Sequence, residues 1–139
     1  MEKLLAPSRS TFLLEAPLEV LHEESLEWLD EIEFCKDEAA FFYSLILKRA
    51  KELPLLKTKQ AKNVESHLIY FSAERMDDMK IEISSHEKFL SRIIDRPDLD
   101  EQLYRKRHKE ISQKFHEFMQ EFRQMKRKIF ELVKIRSKK

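Results

Sequence analysis

Residues 104–132 read YRKRHKEISQKFHEFMQEFRQMKRKIFEL. Within them Tyr104, His108, Ile111, Phe115, Phe118, Phe122, Met125, Ile129 and Leu132 follow one another at alternating steps of four and three residues. At about 3.6 residues per turn that spacing keeps one row of side chains on one helix face, and a sustained seven-residue repeat favours left-handed supercoiled packing. Nearly everything between the row members is charged or amide-bearing. The spacing predicts a long helix with one narrow buried seam.

The same pattern appears twice more toward the N-terminus. Leu21, Ser25, Trp28, Ile32, Cys35, Ala39, Phe42 and Ile46 form a second seam with the same steps. The segment between them carries Ala61, Val64, Leu68, Ser72, Met76, Met79, Ile83, His86, Leu90 and Ile93. Its three consecutive four-residue steps from Val64 to Met76 amount to a stutter, which locally unwinds a supercoil.

Prolines divide the three segments. Pro54 separates the first from the second and Pro97 the second from the third, while Pro7 and Pro17 fall near the N-terminus. Pro is tolerated in a helix's first turn and not in its interior, so Pro17 and Pro97 suit helix starts. Helices are expected over about 18–52, 57–95 and 98–136. There is no glycine at all, so the usual C-cap and tight-turn residue is missing and few reversals are expected. Short connections make neighbouring helices antiparallel. The expected fold is all-α: an antiparallel up-down-up bundle of three long helices with coiled-coil-like packing (18–139), preceded by an N-terminal arm (1–17).

The charged fraction of 38% fits slender helices with much exposed circumference, and a net charge of +1 names no polyanionic partner. No apolar run is long enough for a membrane span. The first twenty residues lack the basic-then-apolar order of a secretory leader, and Cys35, the single cysteine, cannot form an internal disulfide. A cytoplasmic location is the simple expectation. Without glycine there is no phosphate loop, dinucleotide fingerprint or serine nucleophile elbow. A non-enzymatic protein without a cofactor is expected, with Cys35 a small buried hydrophobe.

Residues 27–38, EWLDEIEFCKDE, and 86–90, HEKFL, are similar to stretches in a group of helical-bundle proteins of the Bacteroidota whose function is not known. The resemblance implies a bacterial helical bundle and supplies neither an activity nor site residues.

Two constellations stand out. His86 lies about ten residues before the turn at Pro97 and His108 about eleven after it, each on its seam, so an antiparallel hairpin brings them to one level. With a carboxylate from the first helix, where Glu24, Glu27 and Glu31 fall within about a turn of that level and Glu31 is the candidate taken, they form a possible metal set, because two imidazoles and a carboxylate suit zinc or a redox metal. The plainer expectation is a pair of seam residues hydrogen-bonded to neighbours. His67 and His116 are expected to face solvent.

The second constellation is a segregation of charge. Acids such as Glu19, Glu23, Glu27, Asp30 and Glu33 crowd the start of the first helix. Bases gather at its end (Lys48, Arg49), around the start of the second helix (Lys57, Lys59, Lys62) and at the end of the third (Arg127, Lys128, Lys134, Arg136). An up-down-up path puts all of these bases at one pole. Helix dipoles account for the first and third groups but not for lysines at a helix N-terminus. Nucleic acid or an anionic surface is a possible partner of that pole, without support from a motif. Phe41, Phe42, Leu45, Ile46 and Leu47 make the first helix apolar almost all round near its end, which calls for cover from the arm or from a second copy. The leading functional expectation is therefore an interaction or structural protein that binds itself or another protein.

Overall fold

The computed structural model describes residues 16–51, 59–93 and 97–134. Residues 1–15 of the expected arm, the stretch containing Pro54, and Lys57 and Arg136 of the basic set lie outside the described residues. The described residues form four α-helices: α1 Leu18–Ala50, α2 Lys59–Tyr70, α3 Met76–Ile93 and α4 Pro97–Lys134. A π-helical segment, Phe71–Arg75, joins α2 to α3 without interruption, so the helical stretches number three, and no strand occurs among the described residues.

The two prolines open helices as their chemistry requires. The Pro17 carbonyl accepts the amides of Val20 (3.0 Å) and Leu21 (3.3 Å), starting α1, and Pro97 is the first residue of α4. No described residue has a positive φ. No helix among the described residues is long and apolar enough to cross a membrane.

The side chains group into two compact units, one of residues 16–30 with 79–116 and the other of 31–78 with 117–134. Helices α1, α3 and α4 contribute to both. In the first unit Ala16, Leu21, Ile93 and Tyr104 are buried together, with Leu18, Phe89 and Leu90 packed against them. The guanidinium of Arg105 ties this cluster down by donating to the Ala16 carbonyl (2.5 Å) and pairing with Glu101 (2.9 Å).

In the second unit the Phe71 ring stacks on both Phe118 (4.9 Å between centroids) and Phe122 (5.4 Å). All three rings are fully buried. Arg75 lies over the Phe118 face at 5.4 Å and pairs with Glu121 at 3.2 Å. Further along, Ala61 and Leu132 are buried together with Ala50 and Val64 against them. That contact joins the end of α1, the start of α2 and the end of α4.

Every seam residue expected on α1 and α4 is buried. The second helical stretch differs at three positions, Val64, Ser72 and Leu90, of which Ser72 departs from the core row itself. Ser72 is only half-buried, and Phe71, which the four-residue steps leave off the seam, is fully buried. The cause is the π segment: the Met76 amide donates to the Phe71 carbonyl five residues back. Four-residue steps advance about 40° beyond a full turn each, so three in a row rotate the row away from the core. A wider π turn absorbs the drift, and Leu68, Phe71 and Met76 then all reach the interior. The displaced Ser72 hydroxyl donates to the Leu68 carbonyl (3.0 Å).

Phe71→Ala should therefore cost about 3–5 kcal/mol of unfolding free energy. Ser72→Ala should change it by less than about 1 kcal/mol. Urea denaturation of both variants checks this; equal losses would return Ser72 to the core.

Candidate functional site

A buried polar layer crosses the first unit. Antiparallel placement of α3 and α4 around Pro97 was expected to align His86 with His108, and the structure brings His86 Nε2 to 3.0 Å from His108 Nδ1. On its other side, His108 Nε2 lies 2.8 Å from Glu24 Oε1. His86 and His108 are 3% and 0% exposed. Aromatic rings hold both imidazoles: Trp28 stacks on His108 (4.6 Å) and Tyr104 on His86 (4.2 Å, interplanar angle 5°). Trp28 also stacks on Phe115 (5.6 Å).

Hydrogen-bond chemistry fixes one end of this chain. An ionised Glu24 only accepts, so His108 carries a hydrogen on Nε2, and which ring donates between His108 Nδ1 and His86 Nε2 follows from the tautomer. His86 Nδ1 ends the chain and has no hydrogen-bond partner among the described residues. Burial, then the neighbouring His108, then Arg107 pull the His86 pKa down to about 3, which keeps the ring neutral. A base that weak takes no proton near neutrality, so this chain is suited to hold the two helices in register rather than to transfer protons.

A second polar group sits beside it. The Tyr104 hydroxyl donates to Glu87 Oε2 (3.0 Å), and His22 Nδ1 meets Glu87 Oε1. Burial first, and then the Glu87 carboxylate, raise the Tyr104 pKa, so the phenol stays protonated. An open cleft of about 370 Å³ runs along His86, lined by Glu82, Ser85, Arg107, Glu110 and Ile111. Its rim is already paired in part, Glu82 with Lys114 at 2.8 Å and Arg107 over the Phe89 ring at 4.7 Å. The orphaned His86 Nδ1 has almost no accessible surface, so a molecule in the cleft does not reach it.

Of the expected metal set, the structure brings two members together. His86 and His108 do meet, but their facing nitrogens are spent on each other. The carboxylate that joins them is Glu24. Glu31 is exposed in the second unit, where its charge acts on Cys35. No group of three His, Cys, Asp or Glu side chains among the described residues is arranged to hold a metal ion. Glu24 stands at the neighbouring position to the seam residue Ser25, one turn before Trp28; Glu31 is two turns further on, and level along the helix rather than charge type separates the two. His67 is half-buried beside Glu121 (3.7 Å) instead of facing solvent, while His116 is exposed.

Cys35 is buried with its thiol 3.8 Å from the Met119 sulfur. Burial, then Glu38 and Glu31, push its pKa up to about 12, which leaves an inert thiol and no nucleophile.

The second unit carries the other candidate surface. Lys48, Lys59, Lys62, Arg127 and Lys128 are exposed there and Arg49 is half-exposed, on the three helix ends joined by Ala50, Ala61, Val64 and Leu132. α4 ends at Lys134. On α1, Phe42 and Ile46 are buried, but Phe41 is 62% exposed. Phe34, which sequence reasoning did not single out, is 60% exposed, and its seven-residue spacing from Phe41 was the available signal. Phe130 of α4 (51% exposed) meets Phe42 edge-on at 5.2 Å, and Phe41 meets Phe42 at 5.6 Å.

Comparison with protein-family models, characterised proteins and solved structures finds no match to this chain. The polar layer is testable by titration. The His86 pKa is lower folded than unfolded, so its contribution is complete above about pH 6.5 and is lost as pH falls from there toward about 3. Unfolding free energy should fall between pH 7 and pH 5 by about 2 kcal/mol more in the native chain than in His86→Gln. Superimposable pH profiles would show that His86 takes no part.

Proposed function

We propose that this chain is a non-enzymatic interaction or structural protein, a helical bundle that self-associates through an exposed helix face. The bundle runs up-down-up with coiled-coil-like packing. Contacts in each unit support that path. In the first, Glu82 pairs with Lys114 and His86 with His108, so α3 numbers fall as α4 numbers rise. There, too, Glu24 meets His108 and Trp28 meets Phe115, so α1 and α4 ascend together. In the second unit Cys35 with Met119 and Glu38 with Lys126 repeat the α1–α4 sense.

The observation that carries the functional reading is the pair Phe34 and Phe41. The second unit already fills its interior with Phe42, Phe71, Phe118 and Phe122, yet these two rings remain more than half exposed. Isolated exposed apolar side chains are ordinary; two aromatic rings two helical turns apart on one face mark a contact surface. Recognition by helix faces needs no activated nucleophile, and the raised pKa of Cys35 and the lowered one of His86 supply none. Sedimentation across a concentration series should show the mass rising above that of one chain. A single-chain mass at every concentration would overturn the reading.

A second reading has its own observation. The first turn of α2 contains no acidic residue and opens with Lys59, so its positive dipole end is met by more positive charge. With Lys48, Lys62, Arg127 and Lys128 in the same unit, an anionic partner relieves that repulsion. The rings of Phe118 and Phe122 are buried and unavailable for stacking on bases, so such binding is electrostatic alone. Retardation of a DNA or RNA duplex at low ionic strength, lost steeply with added salt, is its expected sign.

A further inference from the structure

The outer face of α1 in the second unit has a pattern that specifies its own partner. With Phe34 as the reference direction, about 100° per residue places Phe41, Leu45 and Lys48 within about 40° and Glu31 at about 60°. Glu31, Phe34, Phe41 and Lys48 are exposed and Leu45 is half-exposed. The stripe begins with an acid and ends with a base, and its middle holds apolar side chains together with Glu38, at about 40° and paired with Lys126 (3.4 Å), and exposed Asp37 at about 60°.

Reversing the stripe about its midpoint, between Ala39 and Ala40, maps its charged ends and its outer apolar side chains onto suitable partners, and sets Phe41 opposite Glu38, whose carboxylate is held by Lys126. Glu31 falls opposite Lys48 of a second copy and Phe34 opposite Leu45, each contact occurring twice. The two Phe41 rings come within about 5 Å of one another along the axis. This is the self-complementarity that an isologous two-fold interface demands. A parallel arrangement would stack Glu31 on Glu31 and Lys48 on Lys48, which like charges oppose.

Resting on the self-association reading above, we infer that the partner of this face is a second copy of the chain, docked antiparallel along α1 with Phe41 at the two-fold axis. Phe130 flanks the stripe through its edge contact with Phe42 and widens the apolar strip. A single-helix face is smaller than the roughly 800 Å² per partner of a standard interface, so the association is weak and concentration-dependent.

Charge reversal in the full-length chain tests the inference. Glu31→Lys and Lys48→Glu should each weaken dimerisation measured by sedimentation, and the double variant should recover it. Phe41→Asp should weaken it by at least about thirtyfold, the effect of one central aromatic anchor. Phe41 is exposed, so its far-ultraviolet circular dichroism and unfolding midpoint should stay near those of the native chain, which separates lost docking from lost folding. If the chain dimerises but neither charge reversal nor Phe41→Asp alters the affinity, the contact lies on another face, and only this inference falls. If neutralising one charge, Glu31→Gln or Lys48→Gln, strengthens dimerisation, like charges face one another and the antiparallel arrangement is wrong. A native chain that remains single at all concentrations sinks both the inference and the reading beneath it.

Discussion

Helices as charged as these gain little from their own hydrogen bonds in water, and what holds them is burial of one row of side chains apiece. The row is narrow: Leu21 to Ile46 on α1 and Tyr104 to Leu132 on α4 expose almost nothing, while most of their neighbours face solvent. Such a row tolerates no phase error, because a residue out of step leaves the interior within a few turns. The π segment at Phe71–Arg75 follows from that constraint. It spends one residue on a wider turn so that Met76, Met79 and Ile83 stay in phase with Ala61 and Leu68.

The first unit departs from an apolar interior in one place, and the departure is ordered. Glu24, His108 and His86 are linked by successive hydrogen bonds, with Trp28 and Tyr104 covering the rings. Buried polar groups are costly when unpaired and specific when paired. Sliding α3 by one turn against α4 would leave His108 Nδ1 and His86 Nε2 without partners, a penalty that an all-Leu seam would not impose. The layer thus selects one register among several that hydrophobic contact alone would accept. Two buried atoms of this unit, His86 Nδ1 and Ser25 Oγ, have no hydrogen-bond partner among the described residues.

The second unit is built from aromatic stacking, and its chemistry is at the surface. Phe42, Phe71, Phe118 and Phe122 satisfy the interior, which makes the outward Phe34 and Phe41 surplus to folding. Cys35 is held by its neighbours as a packing group, with burial and two carboxylates opposing its ionisation. The electrostatics of α1 run from acid to base along its length, and in the second unit this gradient shares a face with the exposed rings.

Most of the helical content was legible in the chain itself. The alternating steps of α1 and α4 named every buried residue on those helices, because a fixed helical pitch converts spacing directly into direction. Pro17 and Pro97 marked helix starts through their missing amide hydrogen, and the alignment of His86 with His108 followed from counting away from Pro97. The tertiary structure alone decided three further matters. It put Phe71 inward in place of Ser72, since the choice between a stutter and a π turn depends on which side chain the Phe118 and Phe122 rings can receive. It chose Glu24 from among Glu24, Glu27 and Glu31 as the partner of His108, since side-chain reach and axial level within about a turn are not encoded in a charge pattern. It left Phe34 and Phe41 outside, because whether an apolar residue is covered depends on how many neighbours a helix acquires, and no single segment's periodicity contains that number.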